Sequence, residues 1–488
     1  MGRVPDTSKR KRATIGILVG LLLSALDGTV TATALPQILE ELDGFTLYFL
    51  PTALFMLCQT VSMPIWGRLS DLYGRGRLHL LAVIILVAGS ICCGLSHTMT
   101  DLVGFRAVQG LGAGGLMSLS FTMIADLYDL EERAKMQGAI SSVWGVAALI
   151  GPVLGSWMTR TFGWPSIFWL NVPVGIVTAV LVQLAWEQKA PAGKGRVDVA
   201  GAVLFALAAT SLLGAFGLAG REGWSRPHTL EAFGAAGLLG ILLIVVERRR
   251  ADPFLAFDLY RNRLFTTGAV TGVCAMVCMF GAIMHVPLLV AGVLQRSLLA
   301  GGNMLTCMML PWMVCSAMTK RLLKRFTYRA MAIAGMLFAG GAYVLLSRIG
   351  MDDSLGPVIV AMLLLGTGLG LTVAPLLIAA QNAVPKDRLG TATSLTQFTR
   401  SMGAAIGLAV MGTLFLAPFG GKEPEGLIGY KMHQDPDQLR ALIHPLAVGL
   451  HHVFLAAAVA SILGILLALL IPTGKAAELK VPQPAPEG

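Results

Sequence analysis

The chain has 488 residues, of which 55% are apolar and 13% are Asp, Glu, Lys or Arg, with a formal net charge of +10. A soluble chain of this size carries about a quarter charged residues, so a water-soluble multidomain protein is excluded. The apolar residues come instead in runs of about twenty, the length that crosses a hydrocarbon core of roughly 30 Å.

The opening "MGRVPDTSKRKR" has the charge of a signal peptide's first region. The apolar run behind it continues past Asp27 to Pro36 without a cleavage site, so a first transmembrane helix is expected after a cytoplasmic tail at 1–12. Further runs predict six spans near 13–35, 46–66, 78–96, 101–125, 134–158 and 164–186, within an N-terminal bundle at 13–196. Two more, near 198–219 and 230–246, occupy an inserted segment at 197–250. Six others, near 264–290, 298–318, 330–347, 355–383, 390–416 and 447–471, make a C-terminal bundle at 251–471, followed by a tail at 472–488. The expected fold is an all-α integral membrane protein with fourteen spans, arranged six, two and six.

Lys and Arg crowd the N-tail, alternate loops and the C-tail. That bias places both termini in the cytoplasm. It also accounts for the positive charge as attraction to the inner leaflet, so no nucleic-acid partner is expected. The longest outer segment, near 417–446, is rich in Pro and Gly with mixed charge. It is either a solvated loop with a short helix or a docking site for a periplasmic or extracellular partner, such as an adaptor. All seven cysteines fall inside apolar runs and read as soft core residues.

An internal repeat is legible. "GLGAG" (Gly110, Gly112, Gly114) and "GTGLG" (Gly366, Gly368, Gly370) recur at one displacement. The acid–Arg pairs Glu132-Arg133 and Asp387-Arg388, and the basic loops 67–77 and 319–329, recur at nearly the same interval. A duplicated six-helix unit follows, with a binding site expected between the halves near the midplane. Gly110, Gly112 and Gly115 also satisfy G-x-G-x-x-G, but no strand precedes them, so they read as helix-packing residues rather than a dinucleotide site.

"GRLSDLYGRGR" between spans two and three resembles the loop signature of the major facilitator superfamily: Gly67, Asp71, Gly74 and Arg75 match, while Leu72 and Gly76 replace basic residues. "FRAVQGLGAG" resembles the family's fourth-span motif through Arg106, Gln109 and Gly110. "GVAALIGPVLGSW" resembles its antiporter motif through Gly151, Pro152 and Gly155, with Ala147 and Ser156 in place of glycines. "LDGTVTATALP", "FWLNVPVGI" and "SLTQFTRSMGAAIG" are similar to segments of the fourteen-span drug:proton antiporter branch, the EmrB/QacA type. The resemblance covers about 13–471. It implies alternating access between two pseudo-symmetric halves in a bacterial inner membrane, by a protein acting as a monomer.

The same residues make physical sense alone. Asp71, Arg75, Asp126, Glu132 and Arg133 lie near the cytoplasmic face and can form a latch that breaks discretely; the alternative is charge that only sets topology. Gly151-Pro152-x-x-Gly155 either bends span five or permits close packing. Asp27 sits about 21 Å from the inner edge of span one, and Arg106 roughly 7–8 Å below the outer edge of span four, so the two share a depth. Each is costly alone in lipid and far less so as a pair. A protonatable Asp beside a fixed cation is a candidate proton-coupling site, against the alternative of an ion pair that only orients helices. Arg400 is embedded in span thirteen without an acid in its own half. With Asp27, Arg106 and Gln109 it forms the expected substrate cavity, and the charge balance favours neutral, zwitterionic or anionic amphiphiles. His285 reads as a packed histidine, and His444, His451 and His452 as at most a weak metal site.

No G-x-x-x-x-G-K-[ST] loop is present, so ATP is not the expected energy source. No cofactor or metal is expected, and no segment is long enough for a catalytic domain. The leading expectation is a proton-driven exporter of small amphipathic molecules, with protons, substrate and membrane lipid as its partners. The alternatives are a dedicated exporter or flippase of a lipid or endogenous metabolite, and a receptor or scaffold that does not transport.

Overall fold

A computed structural model describes residues 7–42, 50–128, 130–186, 198–249, 257–296, 298–351, 353–385, 388–419, 436–474 and 478–479. Among these residues the regular structure is helical, because a chain in lipid must pair its backbone groups within each segment. The first group of helices comprises α1 (Thr7–Leu42), α2 (Leu50–Tyr73), α3 (Arg75–Gly94), α4 (Met99–Leu127), α5 (Leu130–Phe162), α6 (Pro165–Trp169) and α7 (Asn171–Ala185). Then come α8 (Val199–Glu222) and α9 (Pro227–Arg248). The last group is α10 (Arg263–Leu288), α11 (Leu298–Arg325), α12 (Tyr328–Leu346), α13 (Leu355–Asn382), α14 (Leu389–Leu416) and α15 (Pro436–Ala468).

Eleven of the described helical runs are long and apolar enough to cross a membrane, α6 and α7 counting together. Helices α2, α5 and α11 are not among them. They carry polar residues such as Gln59, Asp71, Arg133 and Lys320, and they pack lengthwise against α4, α1 and α13 respectively.

Several boundaries differ from the sequence reading. Helix α1 begins at Thr7, so part of the expected 1–12 tail is helical: Lys and Arg are good helix formers and the helix projects beyond the apolar run. The sixth run breaks at Leu170, separating α6 from α7. Helix α10 is extended by a π turn, Leu289–Val293, just after Pro287. Helix α15 starts at Pro436, so the helix in the segment 417–446 is the beginning of the last span and not a separate short one; residues 420–435 lie outside the described residues.

The repeat reappears as packing. On α4, Gly110 lies against the Phe55 carbonyl and Gly114 against Gln59 and Ser62 of α2, while Gly112 faces Ala82 and Leu86 of α3. On α13, Gly366 lies against the Met308 carbonyl and Gly370 against Trp312 and Cys315 of α11, while Gly368 faces Gly335 and Ala339 of α12. Each partner in the second set follows its counterpart by the same interval. A side chain at any of these six glycines would collide with backbone or Cβ atoms, which is why small residues recur there.

The two groups of helices meet along α2–α14 and α5–α11. Contact is closest at the basic end, where α1 begins. Gly67 of α2 abuts Ser394 of α14, and a Cβ at Gly138 of α5 would lie 2.6 Å from that of Ala317 on α11. Farther along α5, a Cβ at Gly145 would be 3.7 Å from Met309, an ordinary contact, so α5 and α11 are packed less tightly there than at Gly138. The α8–α9 hairpin lies beside α14 and α2, anchored by Phe205 on Phe398 (ring centroids 5.0 Å apart) and by Trp224 Nε1 donating to Thr413 (3.0 Å).

Candidate functional site

Asp27 of α1 and Arg106 of α4 are both buried, and Arg106 Nη1 donates to Asp27 Oδ2 at 2.5 Å. The other carboxylate oxygen accepts from Gln109 Nε2 (2.7 Å) and Asn171 Nδ2 (2.9 Å). Both amides also reach Ser90 Oγ, at 3.2 and 2.8 Å, and the Ser90 hydroxyl donates to the Phe168 carbonyl (2.8 Å). Gln109 Oε1 accepts from Arg106 Nη1 (2.8 Å). The guanidinium carbon stands 4.1 Å from the centre of the Phe55 ring on α2, a cation–π contact.

This network joins α1, α3, α4 and α7. Each partner has a local reason for its position. Gly89 lets α3 approach α4 so closely that a Cβ there would meet Gln109, which brings Ser90 next to the amide. The break at Leu170 puts Asn171 at the first turn of α7. Gly151 of α5 lies against Thr29 of α1, two residues from Asp27, and the Thr29 hydroxyl donates to the Leu26 and Ala147 carbonyls (3.0 and 3.3 Å). Gly155 is buried, and the Pro152 side chain lies outside the described residues.

Three N–H groups, from Arg106, Gln109 and Asn171, donate to the Asp27 carboxylate. A proton arriving on Oδ2 would compete directly with Arg106. Nη2 and Nε of Arg106 have no hydrogen-bond partner, so a guanidinium released from Asp27 would keep Gln109 and the faces of Phe55 and Phe168.

A second site lies at the basic end. Asp71 accepts from the backbone N–H of Gly390 (3.2 Å) and of Thr391 (2.8 Å), and from the Thr391 hydroxyl (2.8 Å). The first turn of α14 has no side-chain cap of its own. Asp71 therefore caps it from the other group of helices and places a negative charge at the positive end of the helix dipole. Arg75 Nη2 approaches Asp71 at 3.4 Å, and Arg75 also pairs with Asp126 at the end of α4. Burial pushes the Asp71 carboxyl above its ordinary pKa, opposed by Arg75 and by the Thr391 hydrogen bonds.

The structure thus brings together Asp71, Arg75 and Asp126 from the expected latch, together with the backbone of α14, which the sequence did not indicate. Gly67 supplies the close approach of α2 to α14, and Gly74, at φ 91°, makes the turn into α3. Glu132 does not join this cluster; it pairs with Arg10 (2.6 Å), brought over it by the early start of α1. Arg133 donates to the Tyr128 carbonyl (2.9 Å). In the second copy, Arg388 pairs with Asp258, and Asp387 lies outside the described residues.

Arg400 is buried on α14. Nη1 reaches Gln397 Oε1 at 3.3 Å and Nη2 reaches the Val373 carbonyl at 3.1 Å. It does not join the Asp27 network. His285 is packed, with Nδ1 3.0 Å from the Gly281 carbonyl. His451 bonds to the Ser347 carbonyl (2.8 Å), and no group of three metal-ligating side chains occurs among the described residues.

The sequence model of the Major Facilitator Superfamily matches residues 17–408. Multidrug transporter protein MdtP of Bacillus subtilis (strain 168) is 33% identical over 432 residues, covering 88% of this chain and 80% of that one. Multidrug resistance protein 3 of the same organism is 30% identical over 432 residues, covering 87% and 84%. Among solved structures, the human organic anion transporter MFSD10 (TETRAN) superposes with a TM-score of 0.66 at 16% identity, covering 94% of this chain and 99% of that one. At that identity the likeness is one of fold.

Proposed function

The chain belongs to the major facilitator superfamily, and from that premise we propose that it is a proton-coupled exporter of small amphipathic molecules, working by alternating access. The relatives named as multidrug transporters support the export of drug-like substrates. In this reading fourteen spans cross a bacterial inner membrane as two six-helix halves with α8 and α9 between them. The basic end and both termini face the cytoplasm, and the protein acts as a monomer. The contacts of Asp71 with the start of α14, at the basic end, support the reading of a cytoplasmically closed state.

The observation that carries the coupling is the buried Asp27–Arg106 pair. Proton entry to Asp27 weakens the pair, and the freed Arg106 changes what the N-terminal half offers to substrate and to α2. The proton gradient is the energy source in this reading, since one proton crossing 100 mV releases about 2.3 kcal/mol, enough for nearly fifty-fold accumulation without a cofactor. Asp71, Arg75 and Asp126 close the cytoplasmic gate, with Arg133 beside them. A periplasmic adaptor, if one is used, docks on the outer segment near 417–446.

The test is substrate movement in proteoliposomes under an imposed pH gradient. Asp27→Asn is expected to bind substrate yet fail to concentrate it. Uphill transport by Asp27→Asn at the wild-type rate would leave Asp27 as a helix-orienting partner and refute the assignment.

A further inference from the structure

Arg400 differs from Arg106 in one decisive respect: it has no carboxylate. The membrane-embedded parts of α10 to α15 contain no Asp or Glu, and the one embedded acid of α1 to α7, Asp27, is held by Arg106. Arg400 is 3% exposed. Of its five N–H groups, two make hydrogen bonds, both to neutral oxygens at 3.1 Å or more, and Nε has no acceptor. A buried guanidinium in this condition bears a desolvation cost that no partner offsets.

The surroundings hold it in that condition. Gly272 of α10 lets the guanidinium lie against the helix backbone: a Cβ there would stand 2.6 Å from Nε and 3.3 Å from Nη2. Val273 packs into Gly403 of α14, locking the two helices beside it. Gln397, one turn before Arg400, is also buried and orients Nη1. Arg400 lies about 17 Å from the start of α14, at mid-membrane depth. A fixed, unneutralised cation there will favour any ligand that brings the missing charge, and a guanidinium pairs with carboxylates in two-pronged geometry.

We propose that Arg400, positioned by Gln397 and Gly272, is the binding point for an anionic head group, so that carboxylate-bearing amphiphiles are the preferred substrate class. The assignment rests on the reading of the chain as an amphiphile exporter and is independent of how protons are coupled.

Three probes sharing one ring system separate the two ideas: 1-pyrenebutyrate, 1-pyrenebutanamide and 1-pyrenebutylamine, titrated by fluorescence onto purified protein in nanodiscs. Wild-type protein is expected to bind the carboxylate about tenfold or more tighter than the amide, the worth of one charge-assisted hydrogen bond, with the amine weakest. Arg400→Gln should erase the ranking, and Arg400→Lys should keep part of it. Gly272→Ala retains the charge but displaces it, and should lower carboxylate affinity selectively. If Arg400→Gln fails to fold, Arg400→Lys and Gly272→Ala carry the assignment to Arg400, and equal wild-type affinity refutes it without any variant. Equal wild-type affinity for all three, or a ranking that survives Arg400→Gln, overturns this assignment while leaving the exporter reading intact. Failure of all three to bind overturns both.

Discussion

Removing the charge of Asp71 should open the gate. In the structure one carboxylate takes three hydrogen bonds from α14 and one long contact from Arg75. Asp71→Asn keeps one acceptor oxygen, turns an NH2 group toward N–H donors, and removes the charge at the α14 dipole. One or two charge-assisted bonds are lost, each worth about 1.5–3 kcal/mol when buried. A net shift of about 2–3 kcal/mol would move the equilibrium between closed and open gate by roughly 30- to 150-fold. Because these bonds exist only between the two groups of helices, the cost falls on one conformation and not on folding. The assay is a distance distribution between spin labels at Arg77 and Phe326, both exposed at the basic end, in a background lacking the seven free cysteines. A longer distance should gain population in Asp71→Asn. An unchanged distribution would show that Asp71 only caps a helix and does not hold a gate.

Arg106→Ala leaves Asp27 buried with two amide donors, and should lower stability by about 3 kcal/mol. The double variant with Asp27→Asn should recover much of that loss, and thermal unfolding that gives additive losses would deny the pair its coupling. For topology, a cysteine at Met351 should react with an impermeant maleimide on intact cells, and one at Phe326 only after permeabilisation; the reverse pattern would invert the orientation and the direction of transport.

The Asp27–Arg106 pair was legible in the sequence because helical rise fixes depth, and two costly charges at one depth in lipid have a strong reason to meet. Their companions were not legible. Ser90 is a small residue in an apolar run, and Asn171 a lone amide whose direction depends on the helix break at Leu170. The signal that could have found Asn171 is its place in "FWLNVPVGI", an amide enclosed by large apolar residues. The repeated glycines were correctly read as packing residues, since close approach is the one property glycine offers there. The Asp71 cap was invisible for a different reason. Its partners are backbone groups some 320 positions away, and backbone donors leave no mark in residue type. Glu132 was assigned to the latch by proximity in sequence, but α1 starts early enough to carry Arg10 over it.

The two sites share an element, and that sharing makes the cost of Asp27 intelligible. Phe55 on α2 lies under Arg106, and Asp71 at the end of the same helix holds α14. They are about 24 Å apart by helical rise. A guanidinium that loses Asp27 still touches Gln109 and the Phe55 and Phe168 rings, and the nearer ring, Phe55 at 4.1 Å, is the contact through which a displacement of Arg106 bears on α2. Gly110 and Gly114 bring α4 against the Phe55 and Gln59 carbonyls, and helices packed to interior density transmit small shifts instead of absorbing them. Between the two sites stands Pro64, which removes one backbone hydrogen bond and gives α2 a place to bend. At the far end, Gly67 abuts Ser394 with no room for a side chain. A shift of an ångström there is enough to break hydrogen bonds to Gly390 and Thr391, which weaken steeply with distance and angle. In the proposed mechanism, a carboxylate at Asp27 stands where the arrival of one proton would bear on the Asp71 contacts at the opposite end of α2.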